Sequence, residues 1–148
     1  LNIGTDGFIH TGDLGYLDKN KYLFLTGRKD DVIVLDNGKK IHPGEIERHI
    51  LKSHIINYAL IFLNASGTLS LIVSPASNQD VEPVILGIVK SWNEQVPSYS
   101  RIKYLLVAPS PFSINDGLLT ATLKMKRKSI VNKFSSESFS SLAHVDGY

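Results

Sequence analysis

An acidic and a basic residue near the start of the chain have the chemistry to bind a sugar. Asp13 ends a turn formed by residues 11–13, and Arg28 follows at the end of a predicted strand. A carboxylate held on a rigid turn can accept hydrogen bonds from both hydroxyls of a ribose, and a guanidinium beside it can donate others to the same sugar. The alternative is ordinary turn chemistry, with Asp13 supporting the turn and Arg28 as a surface charge.

A single lysine near the other end of the chain is the second candidate. Lys124 follows a segment rich in glycine and threonine, residues 117–122, which predicts a loop able to project one lysine into a cleft. Lys126, Arg127 and Lys128 are also cationic, which is typical of a solvated helix start or of a patch for nucleic acid. Nucleic-acid binders usually carry a strong basic excess, whereas 16 Lys and Arg against 14 Asp and Glu leave this chain at +2.

A charged segment and a hairpin lie between these two candidates. Residues 28–31 are all charged and separate two apolar strands, and residues 36–38 carry the Asp-Asn-Gly pattern of a hairpin turn. Pro43 predicts the start of a helix, with Glu45 and Glu47 in its first turn, where the helix dipole favours acids. A simple hairpin needs neither a charged segment before it nor a helix start after it, so the combination of all three is a more specific signal than a hairpin alone.

The elements around these residues predict a small α+β domain. Residues 1–29 form short strands between turns, which need a partner to cover them because isolated hairpins are marginally stable. Residues 31–134 predict the order βαββαβ followed by a helix, which is a small open β-sheet covered by helices. The last helix is predicted over residues 124–134, and the serine-rich residues 135–148 are predicted to be a disordered tail.

The amino-acid composition excludes several classes of protein. The 148 residues are 43% hydrophobic and 20% charged, which is enough for a core and excludes wholesale disorder. The absence of cysteine excludes a disulfide scaffold, a zinc ribbon and a cysteine nucleophile, and the histidines lack the spacing of a metal site. Apolar runs are far shorter than a membrane-spanning helix needs. We expect a cytoplasmic protein without metal ligands, and peripheral membrane attachment stays open.

Taken together and in this order, the motifs resemble the C-terminal part of an adenylate-forming, or AMP-binding, enzyme. This superfamily contains acyl-CoA synthetases, nonribosomal adenylation domains and beetle luciferases. Residues 11–13 are similar to its ribose-binding aspartate motif, and residues 27–31 to its hinge motif. Residues 38–47 are similar to the hairpin and helix just after the hinge, and residues 120–127 to the segment with its catalytic lysine. Leu123 stands where many members carry glycine. That pattern is similar to the long-chain fatty-acyl-CoA synthetase (fatty acid–CoA ligase) branch, although Ala121 replaces the usual proline.

The resemblance implies a domain organisation. Residues 1–29 are expected to be the terminal strands of a large N-terminal AMP-binding domain, and residues 30–134 the mobile C-terminal lid domain. The chain, which begins without methionine, is expected to be a piece of a longer enzyme and to be inactive alone. The large domain of the same protein is then its partner, and is expected to supply the ligands of Mg²⁺.

The resemblance also implies a two-step reaction. A fatty acid attacks the α-phosphate of ATP to give acyl-AMP, and the thiol of CoA then takes the acyl group, while the lid domain rotates between the steps. Lys124 is expected to be catalytic in the first step, and Asp13 and Arg28 to bind the ribose of ATP or AMP. Asp30 is expected to be the hinge, and Gly38 to let the hairpin backbone lie close to the CoA channel.

Two alternatives to a CoA synthetase stay open. The acyl group can pass to an acyl-carrier protein or remain as acyl-AMP, or the chain can be a non-catalytic α/β interaction module that retains the motifs. Lys39 and Lys40 are also ambiguous, since they can meet CoA phosphates or can simply be solvated. The length of the fatty acid is not encoded in these motifs.

Overall fold

The computed structural model describes residues 3–78, 80–135 and 140–141 of the chain. These residues form two compact units, and the division between them falls after Ile46, inside helix α1 (Pro43–Leu51). The first unit contains the predicted ribose and hinge motifs, and the second contains the predicted lysine segment.

The first unit contains two small antiparallel sheets. Strand β1 (Asp13–Leu17) pairs with β2 (Leu23–Arg28), and β3 (Ile33–Val34) pairs with β4 (Lys40–Ile41). A short 3₁₀ helix, Lys29–Asp31, joins β2 to the segment that enters β3. The short strands between turns that the sequence predicts for this part of the chain are therefore present.

The second unit is built on a four-stranded sheet. In spatial order its strands are β5 (Ile56–Leu63), β6 (Leu69–Pro75), β7 (Tyr104–Val107) and β8 (Ser140–Ser141). β5 and β6 are antiparallel, β6 and β7 are parallel, and β8 is antiparallel to β7. A parallel pair needs a crossover connection, and helix α2 (Glu82–Gln95) lies in the connection from β6 to β7. The predicted α+β class, an open sheet with helices, is confirmed.

One hydrophobic cluster joins this sheet to the last helix, α3 (Arg127–Phe134). Its buried members come from three strands, from the segment after β7 and from α3: Leu60, Ile72, Leu106, Ala108, Phe112, Leu118, Leu119, Ile130 and Phe134. Burying a large apolar side chain contributes about 1.5–3 kcal/mol. The cluster therefore anchors the chain on both sides of the lysine segment.

Helix α3 begins later than predicted. The sequence pattern placed its start at Lys124, whereas the helix begins at Arg127. Leu123 has a φ of 60°, a left-handed conformation that a right-handed helix cannot contain. Leu119 and Met125, on either side, form an isolated antiparallel bridge. Lys124 therefore lies in a hairpin-like turn and not in a helix.

The predicted disordered tail, residues 135–148, lies mostly outside the described residues. Residues 136–139 and 142–148 are not among them, so this prediction stays a prediction. Between these two stretches, Ser140–Ser141 form β8 against β7. The predicted domain boundary at residue 30 also stays a prediction. The compact units divide at a different position, after Ile46.

Candidate functional site

Asp13 and Arg28 are brought side by side by the pairing of β1 with β2. The two residues are direct partners in the ladder, and Arg28 Nη1 donates a hydrogen bond to Asp13 Oδ1 at 3.0 Å. The side chain of Asp13 is 35% exposed and that of Arg28 is 51% exposed. Because both remain accessible, the pair presents carboxylate acceptors and guanidinium donors at one place, which suits the hydroxyls of a sugar.

Gly12 shapes the backbone beside this pair. Its φ of 77° is a conformation that glycine adopts readily, and a Cβ there would lie 3.3 Å from Arg28 Nη2. The Gly12 carbonyl accepts a hydrogen bond from the Lys29 amide at 2.8 Å, and Thr11 Oγ1 accepts one from the Asp13 amide at 3.2 Å. Local hydrogen bonds therefore fix the backbone that carries Asp13.

An open depression with a volume of about 380 Å³ lies beside Asp13. It is lined by Ile9, His10, Thr11, Gly12, Asp13, Leu14 and Lys29. Small-molecule sites commonly have volumes of about 300–1,000 Å³. The depression is therefore large enough for part of a nucleotide.

Lys124 ends a hydrogen-bonded turn in the second unit, residues 120–124. The Thr120 amide donates to the Lys124 carbonyl at 2.9 Å, and the Lys124 amide donates to Thr120 Oγ1 at 3.0 Å. Within the turn, the Leu123 amide donates to the Thr120 carbonyl at 2.9 Å. Lys124 itself is exposed. The loop that the glycine and threonine pattern predicts is thus a defined turn that presents one ammonium group to solvent.

Tyr58 of β5 holds the same turn from the side of the sheet. Its hydroxyl donates a hydrogen bond to the Leu123 carbonyl at 3.1 Å. Its ring stacks on that of Phe112, with 6.0 Å between centroids, and Phe112 stacks on Phe134 of α3 at the same separation. The core therefore fixes the ring whose hydroxyl meets the residue immediately before Lys124.

An ion pair with little solvent exposure fixes the chain just after Lys124. Arg127 Nη2 donates to Glu47 Oε1 at 2.6 Å, and Arg127 Nη1 donates to Glu47 Oε2 at 3.2 Å. Glu47 Oε1 also accepts from the Ile61 amide at 2.8 Å, and Arg127 Nη2 also donates to the Ile61 carbonyl at 3.3 Å. Glu47 is 7% exposed. A bidentate ion pair between arginine and a carboxylate is strong and directional. This pair therefore connects Glu47, β5 and the start of α3.

The predicted hinge and CoA-channel residues lie in exposed turns of the first unit. Asp30 is the middle residue of the 3₁₀ helix Lys29–Asp31 and is exposed. Gly38 has a φ of 76°, and its amide donates to the Leu35 carbonyl at 2.8 Å in the turn between β3 and β4. Among the described residues, a Cβ at Gly38 would meet no atom within 4 Å. Here the turn conformation, and not a close contact, requires glycine.

The fold brings some of the predicted site residues together. Asp13 and Arg28 form a pair, and Asp30 and Gly38 lie in the same unit as that pair. Lys124 lies in the second unit.

Three residues around Lys124 were not predicted as site residues from the sequence. Glu47 was interpreted only as an acid favoured at a helix N-terminus, and Arg127 only as part of a cationic cluster. Both fall within the segments that carry the family resemblance, residues 38–47 and 120–127, which was the one signal available. Tyr58 lies in a buried strand with no local motif to mark it.

No site for a metal ion was found in the residues described, 3–78, 80–135 and 140–141, because no three His, Asp or Glu side chains are arranged to hold one. Within the same parts of the chain, no helix is both long and apolar enough to cross a membrane.

A family model described as the AMP-binding enzyme C-terminal domain matches residues 30–138. The chain belongs to this family. The match begins at Asp30 and includes Gly38 and Lys124, whereas Asp13 and Arg28 precede it. The family membership that the motifs predict is confirmed.

Relatives of this AMP-binding C-terminal domain include fatty-acid ligases. The chain is 28% identical to the long-chain-fatty-acid–CoA ligase FadD15 of Mycobacterium tuberculosis, over 90% of this chain and 26% of that protein. It is 24% identical to the chloroplastic long-chain-fatty-acid–[acyl-carrier-protein] ligase AEE15 of Arabidopsis thaliana, over 91% of this chain and 21% of that protein. The chain thus spans about a quarter of the length of the curated relatives it matches.

A solved structure shares the fold. The adenylation domain of the carboxylate reductase from Mycobacterium chelonae matches this AMP-binding C-terminal domain with a TM-score of 0.71 at 21% sequence identity. The match covers 89% of this chain and 22% of that chain. At this identity the likeness establishes the fold and carries no information on the substrate.

Proposed function

We propose that this chain is the C-terminal part of a fatty-acyl-CoA synthetase, which activates a fatty acid with ATP and passes the acyl group to CoA. The observation that carries the proposal is the turn over residues 120–124, which presents Lys124 within the segment that the family model matches. The similarity to a long-chain-fatty-acid–CoA ligase supports the choice of substrates. The acyl pocket and the ligands of Mg²⁺ are assigned to a larger N-terminal domain.

In the proposed first step, Lys124 lies between two anions. The carboxylate of the fatty acid forms a bond to the α-phosphorus of ATP, and the bond from that phosphorus to pyrophosphate breaks. Both reactants are negatively charged, so an ammonium group between them lowers their repulsion and stabilises the charge on the phosphoryl oxygens. Lysine suits this role because it places a compact charge at the end of a long stem.

The pair of Asp13 and Arg28 is proposed to hold the ribose of ATP and then of AMP. One carboxylate can accept hydrogen bonds from both ribose hydroxyls, and the guanidinium can donate to the same sugar while it orients the carboxylate. The depression that Asp13 lines gives space for the sugar.

Between the two steps the C-terminal domain is proposed to rotate about Asp30. Hinges are a few loop or terminal residues that absorb backbone torsion changes, and Asp30 is exposed in a short 3₁₀ turn at the first residue of the family match. Residues 1–29 are then the last strands of the large domain, and residues 30–134 the lid. Gly38 is proposed to lie beside the CoA channel, where the CoA thiol attacks the acyl carbonyl and AMP leaves.

A second acceptor is favoured by one of the relatives. The protein AEE15 is named as a ligase for an acyl-carrier protein, which gives the same adenylation step and a different thiol. Supplying the complete enzyme with either CoA or a carrier protein bearing its thiol arm separates the two functions, because the preferred acceptor is the one that releases AMP and accumulates thioester.

The proposal is tested by the variant Lys124→Ala in the complete enzyme. We expect it to abolish formation of acyl-AMP from ATP, measured as release of pyrophosphate, and to spare thioester formation from supplied acyl-AMP. Lys126→Ala, which removes a neighbouring cation, is the matched control and is expected to retain both half-reactions. Equal loss of both half-reactions in Lys124→Ala, or equal loss of adenylation in the two variants, would contradict the role.

A further inference from the structure

We infer that the Tyr58 hydroxyl is a positioning group for Lys124, because it holds the backbone turn that presents the ammonium. This inference rests on the proposed role of Lys124. Tyr58 lies on β5 and donates to the Leu123 carbonyl at 3.1 Å. It touches the peptide unit that leads into Lys124, and no part of the lysine side chain is needed for the contact.

The turn at Leu123 needs such support. Leu123 has a φ of 60°, and a residue with a Cβ is strained in this left-handed region because the Cβ crowds the backbone. Strain of this kind persists only where surrounding contacts hold it in place. Leu123 is 57% exposed, so burial of its side chain does not provide the support. Hydrogen bonds to the turn must provide it.

Hydrogen bonds reach this turn from two directions. Thr120 closes it from within, through its Oγ1 to the Lys124 amide and through its own amide to the Lys124 carbonyl. Tyr58 provides a bond from the sheet, to the Leu123 carbonyl. The bond from Tyr58 links the tip of the turn to the core, because the tyrosine ring is stacked on Phe112, whose own amide donates to buried Ser74 Oγ at 2.8 Å.

The hydrogen bond from Tyr58 affects the direction in which the Lys124 side chain leaves the turn. The hydrogen bonds of Thr120 hold the two ends of the turn together, but they do not reach the Leu123 carbonyl. The bond from Tyr58 fixes that carbonyl at the residue before Lys124, so the direction in which the lysine side chain leaves the backbone is restricted. A small displacement of a catalytic group lowers the rate more than it lowers binding, so we expect the hydroxyl to affect adenylation specifically.

Tyr58→Phe removes this hydroxyl and keeps the ring that stacks on Phe112. In the complete enzyme we expect kcat of acyl-AMP formation to fall about five-fold, the factor that corresponds to one neutral hydrogen bond. The rate of thioester formation from supplied acyl-AMP and the KM for ATP are expected to stay within about two-fold of the values for the unsubstituted enzyme. A change of that size is smaller than the effect of one hydrogen bond. Tyr104→Phe, which removes a hydroxyl from a partly exposed tyrosine on β7 of the same sheet, is the matched control.

Leu123→Gly provides a rescue that a merely structural role of Tyr58 does not predict. Glycine adopts positive φ at little cost, so a turn with glycine at position 123 needs less support from the sheet. In this background we expect Tyr58→Phe to lower kcat by less than about two-fold, which is a non-additive pair in a double-mutant cycle. If Tyr58→Phe leaves adenylation unchanged while Lys124→Ala abolishes it, or if Leu123→Gly gives no rescue, the inference is overturned.

Amide hydrogen exchange measured by NMR on this chain tests the turn without any catalysis. We expect Tyr58→Phe to speed exchange at the Leu123 and Lys124 amides by about five-fold, again the worth of one hydrogen bond, and to leave the Ile61 amide unchanged. Unchanged exchange at Leu123 and Lys124 would overturn the inference. If exchange changes as expected but Lys124→Ala spares adenylation, the hydroxyl holds the turn and the proposed function of Lys124 is what fails.

Discussion

At the scale of single residues, the lysine segment depends on charges that are removed from solvent. Glu47 is 7% exposed and is bound by Arg127 and by the Ile61 amide. Removing one partner of a buried ion pair leaves the other charge without compensation, which costs more than the pair itself contributes. The pair therefore ties Arg127, the first residue of α3 and three positions after Lys124, to buried Glu47.

Arg127→Ala is expected to lower the free energy of unfolding of the second unit by about 3 kcal/mol, since Glu47 is then left buried without its counter-ion. The measurement is urea unfolding followed by circular dichroism. Lys128→Ala, at the next and exposed position of α3, is the matched control and is expected to change stability by less than about 0.5 kcal/mol. Equal effects of the two substitutions would show that the ion pair does not stabilise this region.

At the scale of elements, one polar side chain joins the crossover helix to the segment that enters β7. Asn93 of α2 is buried, its Nδ2 donates to the Ile102 carbonyl at 2.8 Å, and its Oδ1 accepts from the Ile102 amide at 2.9 Å. Ile102 is fully buried, so its backbone groups need partners inside the protein. The amide side chain supplies both and docks α2 in one register.

Asn93→Ala is expected to lower the free energy of unfolding by about 2 kcal/mol, because it leaves the buried amide and carbonyl of Ile102 without their partner. Glu94→Ala, at the next and exposed position of α2, is expected to have little effect. Asn93→Asp provides a second comparison, since it keeps an acceptor for the amide but sets a carboxylate against the carbonyl. Urea unfolding of the three variants should rank Glu94→Ala as most stable; an Asn93→Ala protein equal to it would contradict the role of Asn93.

At the scale of the whole molecule, the first unit exposes much apolar surface. Its exposed apolar side chains include Phe8, Ile9, Tyr16, Leu17, Tyr22, Leu23, Phe24 and Leu25. Two-stranded hairpins are marginally stable on their own, and contiguous exposed apolar patches mark surfaces that another body covers. This agrees with the proposal that residues 1–29 are strands of a larger domain, and with a chain that spans about a quarter of its relatives.

The dye ANS, which reports exposed apolar surface, is expected to bind this 148-residue chain. Replacing the paired residues Leu17 and Leu23 by threonine is expected to lower the dye fluorescence, because threonine keeps the strand preference and removes apolar area. Val84→Thr, at a single exposed apolar position of α2 in the second unit, is the control and should lower it less. Equal signals from the two variants would contradict an apolar face on the first unit.

Local patterns were sufficient for much of the fold. The strands, the helices from Pro43 and around Val89, and the hairpin turns follow from alternation, helical spacing and turn residues, which act within a few positions of the chain. The same holds for the motifs, because a family resemblance depends on residue types in order. The start of α3 was missed because the left-handed conformation of Leu123 is imposed by its turn and leaves no local mark in the sequence.

From the sequence alone we obtained the α+β class, the family and the candidates Asp13, Arg28 and Lys124. The folded chain was needed for the partners of those candidates. Tyr58 and Leu123 are 65 positions apart, and Glu47 and Arg127 are 80 apart. A hydrogen bond across such a separation depends on how strands and helices pack, since the chain between its partners can take many paths until the core closes.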